Sequence, residues 1–556
     1  MDKSTTFVLG ASFYHYKSNH IYSTEQIVGV EMDNKRKFLC QGLLMTGVSL
    51  LLRFVGVSTQ IVIAGKIGAE GVGISALISG MGAFAITLAL SGIQPGCIRL
   101  MSEYFGKGDI TSAKKTLKCS IWHALLFGTL SGLLLFIGAD LIGRLWIRDE
   151  RAVTSLRILS LTLPCVSLSS CFGGYFISVR RVYKSACVQV IGEFLRVILT
   201  LSLLNRMIKY GLTSALIALS LGNAIADIFA TCCLTILCLI DSRMHLKEHV
   251  SSACSPPDNS IIKRLLAITM PIAVAAYARS GLIAWEHSLI PRGLQAFGMN
   301  HTSALASYGQ VQSMAMPVIL FPCALLWSFA GLLVPEITEA HVRKERRRIQ
   351  FMMQKVFSLT LVFAIGTSGI MIAFSEELGH ILYQSSDVAH IIRILAPLIP
   401  VMYLDGATDA MLKGLGQQVY SMKVNIIDSL LSIALVWLLI PQTGIIGYVI
   451  TIYITELVNA GMSIVRLLNL SEMNAHIISW IAKPVLCIIG ATCIGRILYI
   501  LLPVSLESIA VLVSLTAVVI SLYIILLLAI GSVKKDDLYW LHSFITKPKS
   551  QKSHAE

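Results

Sequence analysis

The stretch Phe38–Lys66, FLCQGLLMTGVSLLLRFVGVSTQIVIAGK, decides the fold class of this chain. About 20 apolar residues at 1.5 Å rise cross a hydrocarbon core of roughly 30 Å, and this run is longer. Arg53 nevertheless stands close to its middle. A guanidinium at that depth costs between about 2.5 and more than 10 kcal/mol, so it must face other protein or a wet cavity. Such a charge reads as a functional site or as a structural ion pair within a helix bundle; the first is the default for an intramembrane arginine.

Composition extends the reading to the whole chain. Of 556 residues, 55% are hydrophobic and 14% charged, with a mean hydropathy of +0.74; soluble domains carry about 25% charge. This is a polytopic membrane protein with little room for a soluble domain. The net charge of +14 reports topology before it suggests nucleic acid, and no nucleic-acid partner is expected. The 13 cysteines are scattered through apolar runs without a CxxC pair, which suggests small buried residues rather than disulfides or zinc. Residues 1–37 are polar and mixed, and the first apolar run is too long for a signal peptide.

Fourteen apolar segments follow, at 38–66, 71–98, 119–143, 153–179, 184–205, 211–240, 263–291, 303–335, 352–375, 389–412, 420–440, 445–466, 475–502 and 505–533. If the N-terminus is cytoplasmic, the inside regions hold 32 of the 45 Lys and Arg. Ten fall at the outside loops and span ends, and three (Arg53, Arg196 and Arg279) lie deep within spans. That bias predicts a multi-pass protein of the cell membrane with both termini cytoplasmic. The stretch Arg144–Arg157 is the exception, carrying four of the ten outside charges.

An internal repeat sets the organisation. Span four begins LRILSLTLP (Leu156–Pro164) and span ten IRILAPLIP (Ile392–Pro400). Similar charged loops, SEYFGKGDITSAKKTLK and PEITEAHVRKERRRIQ, follow spans two and eight, and Arg53 and Arg279 occupy matching places in the lead spans. The expected layout is a cytoplasmic, poorly ordered segment at 1–37, six-helix bundles at 38–241 and 263–470, and a cytoplasmic linker at 242–262. Helices thirteen and fourteen follow at 471–533, with a cytoplasmic tail at 534–556. Two repeated halves of this kind form a transporter, with the substrate between them and access alternating by rocking.

The ionisable residues inside the spans are the candidate site. Arg53 and Arg279 offer rigid forks suited to phosphate. Glu193 and Arg196, three apart on one helical face, suit a local ion pair as well as a substrate contact. Glu286 and His287, near the end of span seven, line a cavity or snorkel. Asp227, Asp405, Asp409, Asp428 and Glu456 are candidates for binding a proton or sodium ion, because a carboxylate in low dielectric changes charge readily. Interhelical hydrogen bonding is the plain alternative for Asp227, Asp428 and Glu456, and solvation at a helix end for Asp405 and Asp409. The basic run Arg343–Arg348 fixes topology beside anionic lipid. No nucleophile triad, metal motif, GxGxxG or GxxxxGK[ST] loop occurs. An enzyme is not expected, and neither is a cofactor.

Several stretches carry a family resemblance: IGAEGVG (Ile67–Gly73), FGGYFISVRRVYKSACVQVIGEFLRV (Phe172–Val197), ALASYGQVQSMAMPVILFPCALLWSFAGLLVPEITEA (Ala304–Ala340) and above all LKGLGQQVYSMKVNIIDSLLSIALVWLLIPQTGIIGYVITIYITELVNAGMSIVRL (Leu412–Leu467). They resemble the stage V sporulation protein B family, in the superfamily that also holds polysaccharide flippases, lipid II flippases and drug-extruding antiporters. The likeness runs from about residue 38 to 533. It implies an all-α fold of two six-helix bundles in a V around a central cavity, with two further C-terminal helices. It also implies translocation of an undecaprenyl-pyrophosphate-linked saccharide, a peptidoglycan precursor like lipid II, for spore cortex or wall. Lipid II flippases carry serine–arginine–x–leucine–glycine–x–x–arginine–aspartate in the first span. Arg53 and Gly56 match its first arginine and its glycine, whereas Thr59 and Gln60 replace the second arginine and the aspartate.

The expected partners are therefore a lipid-linked oligosaccharide held at Arg53 and Arg279, H+ or Na+, and membrane lipid, with the polyprenyl tail along spans thirteen and fourteen. The alternatives are a cation-coupled multidrug antiporter of the same superfamily and a non-transporting cell-wall scaffold.

Overall fold

A computed structural model describes residues 9–245, 260–471, 477–501 and 509–531, and every regular element among them is helical. Most of the expected linker at 242–262 and the tail at 534–556 lie outside the described residues.

One helix runs from Leu9 to Leu90 and changes direction at Gly68, whose φ of 70° and ψ of 177° lie outside the helical region. A side chain is strained at that φ, so glycine is what lets span one turn directly into span two. The helix begins at Leu9, inside the expected lead-in at 1–37. No proline precedes Pro95, so no ring breaks the ladder there.

Twelve described helices are long and apolar enough to cross a bilayer. Fourteen crossings were expected, and two local features account for the difference. Gly47–Gly106 is a single stretch of 60 residues, about 90 Å at 1.5 Å per residue, and holds spans one and two. Span eight is broken into His301–Gly309, a wide π turn at Gln310–Ala315, Met316–Leu320 and Cys323–Val342, and is not among the twelve. Span two breaks as well, at Ser91 and Gly92, both left-handed, with Gly92 tight against the Thr269 carbonyl. The breaks fall in the second span of each repeat.

The helices gather into two sub-bundles, the first built by spans one to six around the packed spans four and six, the second by spans seven to twelve. Span seven (Ile261–Ala296) packs along span eleven (Gln418–Thr443) and also against span two, tying the sub-bundles together. Spans thirteen (Ile477–Leu501) and fourteen (Ile509–Ala529) pack on span nine (Arg346–Ala373), where Gly366 admits the Tyr523 ring and Gly369 admits Ile488. Arg496 fastens span thirteen by bonds to the buried Glu377 and to the Ala373 carbonyl.

Candidate functional site

A cavity of about 490 Å³ opens between spans one, two, five and six on one side and spans seven and eight on the other. Its wall comes from Gly56–Ile63 of span one and Val72–Gly80 of span two, toward the predicted outer end. Nine of its nineteen lining residues carry a neutral hydroxyl or amide, and Glu193 and Arg196 are the charged ones.

Close backbone contact seals the outer end. Gly73 lies against the Leu305 carbonyl, and Gly309 against the Ala69 carbonyl and the Gly73 backbone, so a β-carbon at either position has no room. Gln60 donates to the Ser313 carbonyl at 3.0 Å, and Ser313 donates from Oγ to the Val72 carbonyl at 3.3 Å. Ser313 lies in the π turn, where backbone carbonyls are free to accept from a second helix. Gln60 thus stitches one sub-bundle to the other, while Thr59 bonds within its own helix to the Val55 carbonyl at 2.7 Å.

In the cavity wall Arg196 bridges two carboxylates. Nη1 donates to Glu193 at 2.7 Å, and Nη2 reaches across to Asp227 of span six at 2.8 Å. The three-residue spacing in span five sets the first contact. Two carboxylates face one guanidinium, so the group carries an excess of negative charge when all three are ionised.

Neither Arg53 nor Arg279 is among the residues lining this cavity. Arg53 is half-buried one turn inward of Gly56, within electrostatic range of Cys323 and Tyr403 of the second sub-bundle. Arg279 lies on an open face of span seven, within electrostatic range of Asp405 and Asp428. Glu456 of span twelve belongs to the same field, which gathers charge from four helices. Asn459 donates to Asp405 at 3.4 Å. The buried Oδ1 atoms of Asp405 and Asp428 have no hydrogen-bond partner among the described residues. Asp409, within electrostatic range of Asp405, is bonded to Ser421 and paired with Lys413 at 2.6 Å. Glu286 accepts from Ser432 at 2.5 Å, and His287, which lines the cavity, meets the Tyr308 hydroxyl at 3.0 Å through Nδ1. Among the described residues no three of His, Cys, Asp and Glu converge to hold a metal ion.

Sequence reasoning missed the contacts between the sub-bundles. At the predicted cytoplasmic end Arg264 grips both oxygens of Glu103 at 2.8 Å and donates to the Tyr104 hydroxyl at 2.9 Å. At mid-depth Tyr277 donates to Ser91 Oγ at 2.7 Å, beside the break in span two. At the opposite end Arg292 donates to the Leu145 and Trp146 carbonyls. Arg151, one of the four exceptional outside charges, ties Glu70 at 2.7 Å to Asp149 at 2.6 Å and so joins two turns. Burial pushes the Asp149 carboxyl up, but the side-chain and backbone N–H groups of Arg151 outweigh it and hold the group below the usual carboxylate range.

The profile of the family described as "Polysaccharide biosynthesis protein" matches residues 39–278, and that of MatE matches 295–438. Stage V sporulation protein B of Bacillus subtilis (strain 168) is 23% identical over 448 residues, covering 79% of this chain and 84% of that protein. The solved lipid II flippase MurJ in an inward closed conformation superposes with a TM-score of 0.64 at 15% identity, covering 87% of this chain and 98% of its own. An inward-facing multidrug resistance MATE family transporter of the MOP superfamily superposes with a TM-score of 0.60 at 14% identity, over 77% and 100%.

Proposed function

We propose that this chain, a multi-pass membrane protein of the superfamily shared by MATE transporters and lipid flippases, translocates an undecaprenyl-pyrophosphate-linked saccharide by alternating access. The observation that carries the reading is the cavity between the sub-bundles, whose wall is rich in hydroxyls and amides and suits a polar head group. The match of the first sub-bundle to a polysaccharide biosynthesis family points the same way. In this reading Arg53 and Arg279 neutralise the pyrophosphate, and the polyprenyl tail stays in lipid. The cargo is a peptidoglycan precursor for spore cortex or wall. Asp405, Asp428 and Glu456 take up H+ or Na+, with Asp227 and Asp409 in supporting positions. A charge crossing the membrane gains about 2.3 kcal/mol per 100 mV, enough to drive the cycle.

The test is movement of a labelled lipid-linked saccharide in proteoliposomes under a cation gradient. The reading fails if no lipid crosses while a known flippase moves it under the same conditions. A second reading, cation-coupled efflux of an organic compound, is favoured by the MatE match over residues 295–438. Gradient-driven efflux of a dye without lipid movement would establish it instead.

A further inference from the structure

We infer that the cavity is a subsite for uncharged sugar, separate from the groups that hold the phosphates, and that it discriminates against acidic saccharides. The inference rests on the transport reading above and adds the chemistry of the cargo.

Three observations carry it. The first is the wall. Hydroxyl and amide groups both donate and accept, which matches the hydroxyls of a sugar ring; organic cations are held instead by aromatic faces. The aromatic rings here are limited to Tyr308 and His287, and these bond each other. Asn223 of span six and Ser79 of span two are the open polar groups of the lining. A volume of about 490 Å³ falls in the usual range for small-molecule sites and accommodates about one or two sugar rings.

The second is charge. Arg196 already spends one N–H of each terminal nitrogen on Glu193 and Asp227, so an anion taken up by its remaining N–H groups sits beside both carboxylates. With two carboxylates against one guanidinium, a phosphate or uronate entering the cavity meets repulsion in a low-dielectric site. A neutral ring meets none.

The third is position along the helices. Arg53 lies three residues inward of Gly56, and Arg279 eight residues inward of His287, about 5 and 12 Å toward the predicted cytoplasmic end. The sugar therefore leads toward the Gly73–Gly309 seal and the phosphates follow. An acidic substituent has to remain outside the chamber or lower the affinity.

The experiment measures binding of three lipids to the full-length protein in nanodiscs: undecaprenyl pyrophosphate alone, the same lipid carrying N-acetylhexosamine, and the same lipid carrying a hexuronic acid. The expected result is that the neutral sugar tightens binding at least tenfold over the bare lipid and the uronic acid does not. Asn223→Leu removes that gain and leaves the bare lipid unchanged, whereas Asn223→Gln, which keeps the amide and controls for folding, retains part of it. Neutralising both carboxylates with Glu193→Gln and Asp227→Asn frees Arg196, and affinity for the uronic lipid rises at least tenfold. Equal binding of the neutral and acidic lipids by the unaltered protein overturns the inference, as does equal weakening of all three lipids by Asn223→Leu. Failure of every lipid to bind removes the transport reading itself, and the inference with it.

Discussion

Arg264, at the start of span seven, holds both carboxylate oxygens of Glu103, at the end of span two, at 2.8 Å. The two residues belong to different sub-bundles, so this fork closes one end of the boundary between them. Lys107 also reaches Glu103 at 2.6 Å, and the Arg264 guanidinium lies over the Tyr104 ring at 5.5 Å. The planar guanidinium holds Glu103 through Nη2 and the Tyr104 hydroxyl through Nη1 at once, which the single nitrogen of an ammonium does not reproduce in the same geometry. Glu103→Gln should therefore favour the conformation open at this end. Spin labels at Lys107 and Lys263, exposed positions on the two sides, should report a longer mean distance. Arg264→Lys should give an intermediate value. An unchanged distance distribution in Glu103→Gln would show that the fork does not set the equilibrium.

The opposite end is closed by backbone contact, so a small addition should open it. A β-carbon at Gly73 has to displace the Leu305 carbonyl, which belongs to a helix and cannot move alone. Overpacking of this kind costs about 1–3 kcal/mol, roughly a 5- to 150-fold change in the balance of two states. Gly73→Ala should lengthen the distance between labels at Arg148 and Asn300 while leaving the Lys107–Lys263 distance no longer than before. Gly80, which has nothing within 4 Å of its would-be β-carbon, supplies the control: Gly80→Ala should leave both distances unchanged.

The Arg196 bridge predicts non-additive stability. Glu193 and Asp227 are 20% and 23% exposed, so removing their shared cation leaves two partly desolvated carboxylates facing each other. Breaking a fully buried pair costs about 3–5 kcal/mol, and partial exposure brings the expected loss for Arg196→Gln to about 1–3 kcal/mol. Adding Glu193→Gln and Asp227→Asn should recover much of the loss, because the removed charges no longer need a partner. Melting temperatures of the unaltered protein, Arg196→Gln and the triple variant in one detergent check this. A triple variant less stable than Arg196→Gln would contradict it.

These contacts mark the division between what the sequence made legible and what it did not. Hydropathy carried the membrane class and most of the spans, because about 20 apolar residues have few other uses. It missed the breaks in spans two and eight, where Ser91–Gly92 and Phe321–Pro322 interrupt helices without making them less apolar. The pair Glu193–Arg196 was readable from its three-residue spacing, but Asp227, 31 positions away, reaches Arg196 only through the packing of span five on span six. Gln60 read as a departure from a signature, yet its bond to Ser313 depends on a π turn 253 residues on, for which no local pattern exists. Glycine was the missed signal: Gly73 and Gly309 both lie in stretches that were quoted for their resemblance, and both allow helices to touch backbone to backbone.

The pH dependence should appear at Asp149, between spans three and four. Its carboxylate accepts from the Arg151 backbone N–H at 2.9 Å and from that guanidinium, which also holds Glu70 of the turn between spans one and two. Because Arg151 keeps the folded-state value below the unfolded one despite burial, the unfolded chain binds the proton more readily. The contribution to stability is therefore fully present above the ordinary aspartate value of about 4 and is lost as pH falls through the depressed value. Asp149→Asn should melt at a lower temperature than the unaltered protein at pH 7, and the two melting temperatures should converge as the pH is lowered below about 4. Arg151→Gln should lower stability at pH 7 as well, since it releases Glu70 and Asp149 together. A constant difference between the Asp149→Asn and unaltered proteins from pH 7 to pH 3 would mean that the charge of Asp149 does not supply the stability, and that its packing against the turn does.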